Sequence, residues 1–79
     1  MGGSKRSVEH YKDHELVCEV RATESGWQYT ISVVSHHGNT SEVKREESTV
    51  TYASDLEALH EAEHRGRQII DMRQDQADS

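Results

Sequence analysis

His60-Glu61-Ala62-Glu63-His64 is the stretch of this chain that spells a catalytic motif. It matches H-E-x-x-H, in which two histidines at i and i+4 share a helix face and hold zinc while the glutamate activates a metal-bound water. At about 100° per residue, with Leu59 at zero, His60 falls near 100°, His64 near 140° and Glu61 near 200°. Those angles point away from the apolar stripe of the helix, into solvent. No cysteine, and no obvious acidic or histidine residue downstream, supplies a third ligand, and a zinc protease needs a second lobe to grip peptide. Glu61–Arg65 and Glu63–Arg67 are i,i+4 pairs in the favourable glutamate-first order. The segment therefore reads as a solvated helix face. His60 and His64 are the ligands of the alternative reading, a histidine-dependent metal-binding protein.

Other residue types are less suggestive. His36 and His37 adjoin Gly38 at a turn, and neighbouring histidines on a strand point to opposite faces, which suits chelation poorly. His10 and His14 fall in expected coil. Trp27 and Tyr29 could stack nucleic-acid bases, but they share the parity of Ile31 and Val33, so core is the better reading. Cys18, the single cysteine, lies on an apolar strand face and reads as a buried, inert thiol. No nucleophile elbow, phosphate loop or cysteine–histidine pair occurs. The chain is expected to be no enzyme, with no catalytic residue and no cofactor.

Composition narrows the rest. Seventy-nine residues, 32% of them hydrophobic, with no Phe and no Pro, allow one domain around one thin core. The formal net charge of −6 opposes phosphate backbones and anionic membranes, and the basic residues are scattered. Nucleic-acid binding is therefore a disfavoured alternative. Protonating all six histidines would cancel that charge, so solubility should fall as acid approaches the ordinary histidine range near pH 6.5. No apolar run reaches the roughly 18–20 residues of a membrane span, and cytoplasm is the expected location.

The elements follow from hydropathy. Residues 1–9 are polar and glycine-rich, an expected flexible tail. From His14, Leu16, Cys18, Val20 and Ala22 alternate with polar residues, broken only by Val17, as in a half-buried strand. Ser25-Gly26 turns the chain into a second strand carrying Trp27, Tyr29, Ile31 and Val33 on one face. His37-Gly38-Asn39 leads to a third, from about Ser41 to Tyr52. Val43 has the opposite parity to Val50 and Tyr52 there, so a bulge near Glu46–Ser48 is expected to restore the apolar face. Ser54 and Glu57 form a capping box opening a helix that runs to about residue 73. Gly66, on the apolar stripe, should let the helix approach the sheet, and 74–79 should be a second flexible tail. The predicted fold is α+β, a three-stranded antiparallel meander with one C-terminal helix on one face (β-β-β-α) over residues 10–73. Leu16, Cys18, Val20, Tyr29, Ile31, Val33, Leu56, Leu59 and Ile70 should form its core.

Three segments carry a likeness: Gly26-Trp27-Gln28-Tyr29, Tyr52-Ala53-Ser54-Asp55-Leu56-Glu57-Ala58, and Gly66-Arg67-Gln68-Ile69-Ile70-Asp71. Over residues 10–73 the chain resembles a set of short uncharacterised bacterial proteins with a G-x-W/Y hairpin, a Y-x-S/T-x-x-E-A helix start and a G-R-x-I-I-D helix end. The resemblance implies a β-β-β-α fold and no activity. Double-stranded-RNA-binding domains and Hic-type antitoxins share that topology. The first carry lysines at the helix start where this chain has Ser-Asp-Leu-Glu, and the second carry a P-D-L-P-G-C segment that it lacks.

The expected function is a small non-enzymatic module that binds a protein partner or itself. The meander leaves its first strand, His14 to Thr23, as an edge without proline or a charge run. Two copies pairing there about a two-fold axis would use Glu15, Val17, Cys18, Glu19 and Arg21. A register centred on Cys18 sets Glu15 against Arg21 and brings the two thiols within disulfide reach.

Overall fold

The computed structural model describes residues 4–77, with the side chains of all but residue 37 and residues 74–77. Four strands, not three, make one antiparallel sheet in chain order: β1 (Ser4–Tyr11), β2 (His14–Thr23), β3 (Gly26–His37) and β4 (Thr40–Glu47). Helix α1 (Asp55–Ala77) follows. The added strand occupies most of the stretch expected to be a flexible N-terminal tail. It turns into β2 through Lys12 and Asp13, both at positive φ (48° and 64°), which a two-residue hairpin with the twist of its strands requires. At the other end α1 continues through Ala77, beyond the expected end at residue 73. The rest of the expected C-terminal tail, 78–79, lies outside the described residues.

The helix begins as its sequence dictates. The Glu57 amide donates to Ser54 Oγ at 3.1 Å, the first half of a capping box. Its buried line then follows small residues. Ala58, Ala62 and Gly66 lie one turn apart and are buried with Ile69 and Ile70. Centred on these, the line is turned by about 50° from the stripe drawn through Leu59. Leu59 is therefore only partly buried, and Leu56, expected in the core, is 65% exposed. The reason is closeness: a ridge of Ala, Ala and Gly allows a shorter helix–sheet distance than a ridge of leucines. Gly66 carries the expected role, since a Cβ there would overlap Leu16 Cδ1 and lie 2.8 Å from its Cδ2.

Beneath the helix lie Leu16, Cys18, Val20, Ile31 and Val33, all buried, with Tyr29 packed against them. Ser35 is buried in the same layer, and its hydroxyl has no hydrogen-bond partner among the described residues. An unmade bond of that kind costs about 1–3 kcal/mol. Ser35→Ala should therefore leave stability unchanged or raise it by about 1 kcal/mol. Denaturant midpoints read this directly, and a loss of that size would place a partner on the hydroxyl.

Polar side chains flank the helix on both sides. Lys5, Ser7, Glu9 and Tyr11 of β1 share one face, by their register against β2. Each reaches α1: Lys5 to Asp55 at 2.9 Å, Ser7 to Glu63 at 3.4 Å, Glu9 to Arg67 at 3.0 Å and Tyr11 to Asp71 at 3.0 Å. Two strand residues advance about 6.6 Å and four helical residues about 6.0 Å, so a strand of period two stays in step with helix positions 63, 67 and 71. On the other side Glu46 meets Arg65 at 3.0 Å and Glu42 meets Arg73 at 2.8 Å, again with two helical residues per strand residue. Arg65 and Arg67 thus bond across to the sheet, not to Glu61 and Glu63 along the helix as expected. Lys12, with help from the Tyr11 hydroxyl, holds the Asp71 carboxyl below the ordinary carboxylate range, and Lys5 does the same for Asp55. These contacts are complete above that range and are lost as acid passes below it.

The irregularity expected in the last strand is present, with a different result. Thr30 opposes Glu47, whereas Trp27 opposes Tyr52, so two extra residues intervene on the β4 side. Ser48 spans the break, donating its amide to the Tyr29 carbonyl (3.0 Å) and accepting the Tyr29 amide on its hydroxyl (3.1 Å). An insertion of two preserves parity. Tyr52 therefore stacks on Tyr29 on the helix side, ring centroids 5.9 Å apart, while Val43 stays on the opposite face.

Candidate interaction surface

Strand alternation divides the sheet into a face under α1 and a face that no other described element covers. The second carries Arg6, Val8 and His10 from β1, Glu15, Val17, Glu19 and Arg21 from β2, Thr30, Ser32 and Val34 from β3, and Val43, Arg45 and Glu47 from β4. Val8 opposes Val17 and Val34 opposes Val43. Val17 and Val34 are diagonal neighbours, a spacing of roughly 7–8 Å. Four valines thus cross all four strands in one row, exposed at its two ends, Val8 at 49% and Val43 at 57%, and screened in the middle, where Val17 is 8% exposed. Three arginines and three glutamates flank the row. Between Glu19, Arg21, Thr30, Arg45 and Glu47 the twisted sheet forms an open depression of about 580 Å³.

Four of the residues expected at an interface, Glu15, Val17, Glu19 and Arg21, stand together on this uncovered face. The strand that carries them is not an edge. β2 is paired along its length with β1 on one side and β3 on the other, so a second copy cannot add to it, and pairing through this strand is overturned. Among the described residues the sheet's edges belong to β1 and β4.

Cys18 is separated from the other four. It points under α1 and is fully buried, where it cannot meet a partner's thiol. Burial, reinforced by the negative charge of Glu63, pushes its pKa up to about 11 from 9.0. At pH 8 iodoacetamide should alkylate the folded chain about 100-fold more slowly than the unfolded one, from thiolate content alone. Folding favours the neutral thiol, so its contribution to stability is whole below about pH 9 and is lost as pH rises toward 11. Thermal melts should show that alkaline loss in the natural chain and lack it in Cys18→Ala.

His60, Glu61 and His64 are exposed on the outer side of α1, as the helical angles require. His64 Nε2 lies 3.4 Å from Gln68 Nε2. Among the described residues no group of three His, Cys, Asp or Glu side chains is placed to hold a metal ion. His10 and His36 are exposed on the uncovered sheet face, and His14 Nδ1 is 2.7 Å from the Lys12 carbonyl oxygen. Trp27 and Tyr29 are half-buried on the helix side. No described helix is long and apolar enough to cross a membrane.

The valine row was missed by sequence reasoning because Val17 and Val34 sit at the minor parity of their strands and Val8 and Val43 are isolated among polar residues. Val17 looked like a fault in the β2 alternation, and Val43 looked like a residue awaiting a bulge. Compared with protein-family models, curated proteins and solved structures, the chain matches none of them.

Proposed function

We propose that this chain is a small non-enzymatic module that associates with itself or with a protein partner through the sheet surface that α1 leaves uncovered. The observation that carries the reading is the row Val8, Val17, Val34 and Val43 among balanced charges. An apolar row of this kind, rimmed by polar groups, is what association surfaces present. Mixed charge of both signs suits a protein surface better than a phosphate backbone. The metal-binding alternative on His60 and His64 would need a further ligand from outside the described residues. Sedimentation equilibrium from about one to tens of micromolar tests the reading. Species heavier than the 9.0 kDa chain, diminished in Val34→Lys, support it. A monomer throughout, joined by stoichiometric zinc binding that His64→Ala abolishes, overturns it.

A further inference from the structure

We infer that the outer edge of β4 is a self-recognition strand, pairing antiparallel with β4 of a second copy in a register centred on Val43. The inference rests on the self-association half of the proposed function and assigns it a strand and a register.

From Ser41 to Glu47, β4 presents an outer edge with no proline. Such an edge carries a row of unpaired amides and carbonyls, a template for another strand. In antiparallel pairing about a two-fold axis, opposed residues come from the same face, so the centre falls on a residue and not between two. Charge then selects among the centres. With Val43 at the axis, Val43 meets its own copy, Glu42 meets Lys44 twice, and Ser41 meets Arg45 twice. No like charges are opposed. Moving the centre to Lys44 sets Lys44 against itself and Glu42 against Glu46, and moving it to Glu42 sets that carboxylate against itself.

Two features of the structure favour β4 over β1. The helix-facing side chains of β1 are all bonded to α1. On β4, Glu42 and Glu46 pair with Arg73 and Arg65, whereas Lys44 between them makes no ion pair among the described residues. It adjoins Ile69 and Met72 in a shallow groove instead. A second copy brings Glu42 to that cation. On the uncovered face the same register joins the two exposed Val43 side chains, so the valine rows run on from one sheet into the other.

Sedimentation at tens of micromolar on three chains tests the register: the natural sequence, Lys44→Glu, and the exchanged pair Glu42→Lys/Lys44→Glu. Lys44→Glu places a carboxylate opposite Glu42 at both of the two symmetric positions and should raise the dimer dissociation constant roughly tenfold or more. The exchanged pair restores opposite charges and should restore the dimer. A dimer indifferent to Lys44→Glu overturns this register while leaving self-association standing. A natural chain that stays monomeric overturns both. A dimer that the exchange fails to rescue counts against the Glu42–Lys44 pairing and so against the inference.

Discussion

Leu16→Ala should destabilise the chain by about 2–5 kcal/mol, the range for truncating a fully buried leucine. A domain of this length holds roughly 4–12 kcal/mol in all, so the variant should lose a large share of its stability. Leu16 is 1% exposed, lies opposite Val33 in the sheet and is the side chain on which Gly66 rests. Two responses could lower the cost: the helix could settle into the gap, or neighbouring residues could shift. The ion pairs on both flanks of α1 oppose any slide along the sheet, so the cavity should persist. Chemical denaturation checks this, and a loss below 1 kcal/mol would mean that Leu16 does not fill the space beneath α1.

Gly66→Ala should also destabilise, against the usual preference of helices. Alanine gains about 1 kcal/mol of helix propensity over glycine. Here its methyl would overlap Leu16, and overpacking a tight core costs about 1–3 kcal/mol. The two effects can be separated. In a Leu16→Ala background the obstruction is gone and the same methyl fills vacated space. Gly66→Ala should then stabilise by about 1 kcal/mol. The coupling between the two sites should therefore be large for a pair without charge, about 1–3 kcal/mol. Additive effects would mean that helix and sheet do not touch at this point.

Much of this layout is readable from the residues alone. The alternation in β2 and β3 is set by strong apolar periodicity, and the helix start is set by Ser54. Two features were hidden, each for a physical reason. β1 has no buried apolar side chain: Lys5, Ser7, Glu9 and Tyr11 face the helix and hold it by polar bonds. A hydropathy pattern cannot register that arrangement, although the step of two against a helical step of four was present in the residue types. The helix rotation was hidden because Leu56 and Leu59 outweigh alanine in any hydrophobic sum, while close approach favours the smaller residues. With β1 absent, β2 became an edge and the dimer was assigned to the wrong strand. Of the residues assigned to that interface, Glu15, Val17, Glu19 and Arg21 share the sheet face opposite α1, with Val17 itself only 8% exposed, and Cys18 lies beneath the helix. The exposure of His60, Glu61 and His64 was readable from helical angles because a rotation of about 50° still leaves all three on the outer side.

The uncovered sheet surface, and not the outer side of α1, is where this account places the chain's contacts with other proteins. A dilution series of ¹⁵N-resolved amide spectra, from tens of micromolar down to about one, separates the two. The account predicts concentration-dependent shifts concentrated in Ser41 to Arg45 and at Val34 and Val17. Spectra without concentration dependence, or with changes gathered around His60 and His64, would contradict it.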